Sequence, residues 1–209
     1  MSWDLDLSQA GPLVEPGSYQ VTIKIGTTEL SQPLTVLKDP NTAGTDQDVR
    51  QQVAFGLALR TELDSVVGLI NRAEWLRKQL GDLAAQLADS STIKDDSVGK
   101  ALAKGARDLE QKLIGVEGEL FDVNLTGGRE DAFRNPMKLY GRLSALLSDA
   151  LENGADFAPT SQQQAVNQLY QQRLGDAAKR LGDLLQQDVA QFRQQLRAAK
   201  LPDVLAGNQ

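Results

Sequence analysis

TDQDVRQQVAFGLALRTELDSVVGLINRAEWLRKQLGDLAAQLAD, residues 45–89, decides the fold. Its apolar residues Val49, Val53, Leu59, Leu63, Val66, Ile70, Ala73, Leu76, Leu80, Leu83 and Leu87 recur mostly at steps of three and four. That spacing puts them on one stripe of a helix. Thr45 is placed to cap the helix, and Asp46 and Asp48 fall in the first turn, where the helix dipole favours negative charge. Ser90-Ser91-Thr92 ends the pattern. At 1.5 Å per residue such a helix would be about 65 Å long. No isolated helix with so apolar a face stays solvated, so other helices must cover it.

Three later stretches repeat the period. From Ser97 to Asn124, Val98, Leu102, Leu109, Leu113, Val116, Leu120 and Val123 hold an a/d-like spacing. Pro136 suits the first turn of a shorter third helix, with Asn135 as its cap. Leu139, Leu143, Leu146, Leu147 and Ala150 form its stripe, and Asn153-Gly154 stops it. Pro159-Thr160-Ser161 opens a fourth helix that reaches about Lys200. Its stripe is Val166, Leu169, Leu174, Ala177, Leu181, Leu184, Leu185, Val189, Phe192 and Leu196. The expected fold is mainly α: an up-down-up-down four-helix bundle over residues 40–209 with an N-terminal β-hairpin. Leu63, Ile70, Leu113, Leu143 and Leu181 are expected in its core.

Residues 1–39 follow a different rhythm. Trp3-Asp4-Leu5-Asp6-Leu7 alternates like a short strand. Tyr19, Val21, Ile23 and Ile25 alternate with Gln20, Thr22 and Lys24, the period of a half-buried strand. Gly26-Thr27-Thr28 reads as a turn. Glu29 to Leu37 gives a second strand, whose Pro33 argues for an edge or bulge position. A hairpin of this kind is marginal without a partner surface. Its apolar face and open edges make Trp3, Tyr19, Val21, Ile23 and Ile25 candidates for self-association.

Composition narrows the chemistry. The 209 residues are 41% hydrophobic and 24% charged, with a net charge of −6. That charge argues against a general nucleic-acid or anionic-membrane binder, which would want a basic face. There are no cysteines and no histidines. Disulfides, zinc-finger sites and nucleophile systems that use either residue are therefore excluded. No apolar run approaches the ~20 residues of a membrane span. Residues 1–20 do not read as a signal peptide.

The remaining constellations are read as structural. Asp4 and Asp6 share a side of their strand and would discourage edge aggregation. Glu117, Glu119 and Asp122 read as a solvated acidic face, since no Glu-x-x-His completes a metal site. Gly127-Gly128-Arg129 lacks the strand and helix that flank a phosphate-binding loop. Trp75, Phe121, Phe133, Tyr140, Phe157 and Phe192 read as packing residues. The glutamines of the fourth helix, such as Gln163, Gln164 and Gln171, read as a solvated face, or else as a polar contact surface. No catalytic residue, metal ligand or cofactor site is expected, and the chain is read as a non-enzyme.

A family resemblance adds to this. Val14-Glu15-Pro16-Gly17-Ser18-Tyr19-Gln20-Val21 resembles the V-x-P-G-x-Y-x-V strand of bacterial Ig-like modules. Lys38-Asp39-Pro40 leads into the long helix, and Asn135-Pro136-Met137-Lys138-Leu139-Tyr140-Gly141-Arg142-Leu143-Ser144-Ala145-Leu146 resembles an x-P-x-x-L-x-x-x-L-x-x-L helix start. In this order the segments are similar to the C-terminal region of bacterial sortilin-like, BNR-repeat β-propeller proteins. The propeller and its Asp-box are absent here, so no catalytic residue carries over. The resemblance implies that residues 1–39 are the remnant of an Ig-like module. It also implies an exported, periplasmic or extracellular interaction domain. The expected partner is protein, either a parent propeller or a second copy of the chain, with no nucleic acid. The rival expectations are an accessory domain of a carbohydrate-active enzyme and a self-assembling structural subunit.

Overall fold

The computed structural model describes residues 14–88, 96–122, 135–151, 156–201 and 203. Strands β1 (Gly17–Ile25) and β2 (Thr28–Val36) precede helices α1 (Asp46–Ala88), α2 (Asp96–Leu120), α3 (Leu139–Leu151) and α4 (Ser161–Leu184). A π-helical turn, Leu185–Val189, then leads into α5 (Ala190–Ala198). The protein is thus mainly helical, a helical bundle with an N-terminal β-hairpin, as the sequence periods predict. Trp3, Asp4, Asp6, Ser90–Thr92, Val123, Gly127–Arg129, Phe133 and Asn153-Gly154 lie outside the described residues. The chain divides into two compact units, Met1–Thr61 with Ser144–Gln168, and Glu62–Leu143 with Leu169–Gln209.

The first unit holds the hairpin. β1 and β2 pair antiparallel from Gly17↔Val36 to Ile25↔Thr28 without a bulge. Gly26 turns the chain at φ +60°, at the first central position of a two-residue turn, where a side chain would be strained. The segment after β2 is tied down. The Lys38 ammonium donates to the Thr42 carbonyl at 3.0 Å and its hydroxyl at 2.9 Å. Thr42 in turn donates to the Asp156 carboxylate. Gly44 is buried so close to Asp156 that a Cβ there would overlap its carbonyl.

Both helix starts in this unit are capped from the sequence. Thr45 and Asp48 form a reciprocal box: the Thr45 amide donates to Asp48 Oδ2 at 2.7 Å, and the Asp48 amide to Thr45 Oγ1 at 3.2 Å. Hydrogen bonds from the Thr45 hydroxyl and amide hold the Asp48 carboxyl below its usual range. Thr160 and Gln163 repeat the device at α4, at 2.9 and 3.2 Å. Val49, Val53 and Leu59 of α1 and Leu146, Leu147 and Ala150 of α3 are buried. Gln52 is a buried polar residue and spends its amide on the Ala150 carbonyl at 2.9 Å.

The second unit has the larger core. Apolar residues of α1 (Leu76, Leu80, Leu83, Leu87), α2 (Leu102, Ala106, Leu109, Leu113) and the α4–α5 segment (Leu181, Leu185, Val189, Phe192, Leu196) form one buried cluster. Gly105 of α2 lets Phe192 approach, since a Cβ would sit 3.3 Å from its ring. Of the five expected core residues, Ile70, Leu113, Leu143 and Leu181 are buried, while Leu63 is only half-buried.

Three boundaries differ from the sequence expectation. α2 stops at Leu120 rather than Asn124. α3 begins at Leu139 rather than at Pro136. Asn135 does not cap it, since it lies four residues before Leu139; its side-chain amide donates to Asp122 Oδ2 at 2.9 Å. Met137 instead packs where a Cβ on Gly141 would fall. The fourth helix is not continuous: the π turn inserts an extra residue, and its Leu185 and Val189 are both buried.

The end of α5 carries a measurable strain. Leu201 donates its amide to the Leu196 carbonyl at 2.9 Å and Lys200 to the Arg197 carbonyl at 3.0 Å, a Schellman motif. The position that favours glycine is held by Lys200 at φ 57°. Lys200→Gly is expected to raise stability by about 0.5–1 kcal/mol, read as a higher denaturation midpoint. Just beyond, Asp203 accepts from Arg193 Nε at 2.8 Å and from Arg197 Nη2 at 2.8 Å. The Arg193 hydrogen bond, with Arg197 behind it, holds the Asp203 carboxyl well below the usual range. A depressed carboxyl stabilises the fold above its ordinary pKa, and that contribution fades only as pH falls through the lowered one.

Candidate functional site

The hairpin presents the chemistry that sequence alternation singles out. Every residue of β1 and β2 is exposed except the half-buried Val36. Directly opposed residues share a face. Tyr19 faces Leu34, Val21 faces Gln32, Ile23 faces Leu30 and Ile25 faces Thr28. One side of the ribbon is therefore apolar, while the other carries Ser18, Gln20, Thr22, Lys24, Glu29, Ser31, Pro33 and Thr35. Thr22 and Ser31 share a hydroxyl hydrogen bond of 2.7 Å on that polar side. The structure brings Tyr19, Val21, Ile23 and Ile25 together as expected, and adds Leu30 and Leu34 to them. Exposure on the apolar side reaches 57% at Ile23 and 69% at Ile25. Trp3, the fifth candidate, lies outside the described residues.

The register also fixes which backbone groups are free. Ile25↔Thr28 closes a two-residue turn and is a hydrogen-bonded pair, and such pairs alternate along the ladder. The odd-numbered residues of β1 therefore spend their amides on β2. Ser18, Gln20, Thr22 and Lys24 point theirs outward from the β1 edge. On β2 the outward row is Glu29, Ser31, Pro33 and Thr35, and Pro33 has no N–H to offer. The two edges are thus unequal: β1 offers an unbroken row and β2 an interrupted one. Among the described residues no third strand pairs with either edge.

No protein-family model, curated protein or solved structure matches this chain.

The other candidates fall into structural places. Glu117 does not belong to a solvated acidic face: its side chain is 1% exposed and pairs with Arg77. Glu119 is half-exposed and gripped by both terminal nitrogens of Arg180. Asp122 accepts from Asn135. Phe121 and Tyr140 meet edge-to-face with ring centres 6.2 Å apart, and Phe192 is buried. Trp75 and Phe157 are exposed instead of packed. Gln163 and Gln171 hydrogen-bond Asp149 at 2.9 Å and Glu62 at 2.7 Å, so these glutamines are partly engaged within their own units. Among the described residues no helix is long and apolar enough to cross a membrane.

Proposed function

We propose that the chain is a non-catalytic interaction and assembly module whose working surface is the hairpin. Its partner is another protein chain, in the first place a second copy of itself. The observation that carries this reading is a regular two-stranded ribbon whose whole apolar face lies open to solvent. Apolar surface exposed as one contiguous face is costly in water, and a two-stranded ribbon alone is marginal. Pairing along β1 would add main-chain hydrogen bonds to the apolar contact. The resemblance to sortilin-like propeller proteins supports a second protein partner, a parent propeller in an exported setting, by the same surface.

The test is mass in solution by light scattering on the full chain. Wild type is expected above monomer mass. Ile23→Lys, which puts a charge in the middle of the apolar face, should return it to monomer with the helical circular dichroism unchanged. Thr22→Pro should do the same by removing one outward N–H from the β1 row. A wild-type chain that is monomeric at high concentration, with hairpin amides strongly protected from exchange, would mean the ribbon is closed within its own chain.

A further inference from the structure

We propose that a cleft in the second unit binds a small ligand carrying an oxyanion, a phosphate or carboxylate head on a compact body. The cavity, about 350 Å³, is bordered by Glu119 at the end of α2, by Lys138 and Arg142 around the start of α3, and by Arg173, Asp176 and Arg180 of α4. Four cations thus face two carboxylates, in a chain whose net charge is −6. Glu119 is already engaged, since Arg180 holds both its oxygens. That leaves Lys138, Arg142 and Arg173 against Asp176 alone.

These three cations are not consumed by the fold. Arg142 donates Nε to the Met137 carbonyl at 2.6 Å. That bond fixes the plane of the guanidinium and leaves its terminal nitrogens without partners among the described residues. The Lys138 and Arg173 side chains have no hydrogen bond or ion pair among the described residues. Lys138 and Arg142 are half-buried, so water screens them less than it screens charges on an open surface. Like charges gathered at a concavity repel, and an anion between them relieves that repulsion. An oriented guanidinium is the group best suited to take a phosphate or carboxylate through two parallel hydrogen bonds.

Leu120, Leu139 and Ala177 give the cleft an apolar buried floor. Its volume lies at the small end of the ~300–1,000 Å³ range of ligand pockets. Charged rim, apolar floor and small size together fit a compact amphiphilic anion and not a macromolecular surface. This site is independent of the hairpin and of the assembly reading.

Isothermal titration of the full chain with inorganic phosphate, citrate and phenyl phosphate tests the proposal. At least one probe is expected to bind saturably with one site per chain. Arg142→Gln and Arg173→Gln should each weaken it by about tenfold or more, as expected for a lost charge-assisted pair. Lys104→Gln is the control: it lies fifteen residues before Glu119 on the same helix, about 22 Å away along its axis. It should leave binding unchanged. Binding by phosphate probes alone, or by citrate alone, separates the two kinds of head. The proposal is overturned if no probe binds at millimolar concentration, or if the heats are the same in Arg142→Gln and Arg173→Gln as in wild type. It is also overturned if Lys104→Gln weakens binding equally, since the effect would then be net charge.

Discussion

Arg77→Ala is expected to destabilise the protein by ~3–5 kcal/mol, read as a large fall in the denaturant midpoint. Glu117 is 1% exposed and Arg77 is its ion-pair partner. Removing the guanidinium leaves a carboxylate inside the second unit with no cation to offset its desolvation. The reason lies in the asymmetry of buried pairs: their net contribution is small, but an orphaned partner is costly. The paired substitution Arg77→Met with Glu117→Leu should therefore recover most of the loss. An Arg77→Ala variant that unfolds at the wild-type midpoint would mean that Glu117 finds another partner or reaches water.

The second large effect concerns the leucine core. Leu113→Ala is expected to cost ~2–5 kcal/mol, because Leu113 has no exposed surface and belongs to the cluster shared by α1, α2 and the α4–α5 segment. Removing its methyl groups forfeits their transfer free energy and opens a cavity that close-packed neighbours fill only in part. Leu63→Ala should cost clearly less, since Leu63 is half-buried. The comparison separates burial from residue type. Equal losses at the two positions would place Leu63 in a core that its exposure does not indicate.

Much of this was readable in the sequence, and what was missed has a physical pattern. α1 was legible because its stripe is long and its cap is local: Thr45 and Asp48 are three residues apart. At the start of the fourth helix the apolar residues are not the buried ones. Val166 and Leu169 are exposed, whereas Asn167 is buried and Tyr170 half-buried. Counting back in steps of three and four from Leu181, Ala177 and Leu174 leads to Tyr170 and Asn167. The phase held where hydrophobicity misled. Arg77 hid in the same way. It stands one heptad from Ile70 and from Ala84, both buried, so its column pointed inward although its charge argued otherwise.

The hairpin splits along a similar line. Its alternation predicted two strands and an apolar face, because period-two patterning is local information. That both faces stand exposed depends on what the rest of the chain covers, and no pattern within residues 17–36 encodes that. The cationic cleft was out of reach for another reason. Lys138 and Arg142 sit around one helix start and Arg173 on another helix, so only the fold gathers them.

Pro33 bears on stoichiometry. A building block with two open edges has a valence of two, and successive additions to it propagate into a fibre. In the proposed assembly, a second edge missing a donor in the middle would give this ribbon a valence of one. Addition along β1 would then yield a closed pair and stop, with each Pro33 terminating one side of a four-stranded sheet. On that reading a single ring without an N–H would separate finite assembly from unlimited growth, and restoring an N–H at position 33 would convert a chain terminator into a monomer for polymerisation.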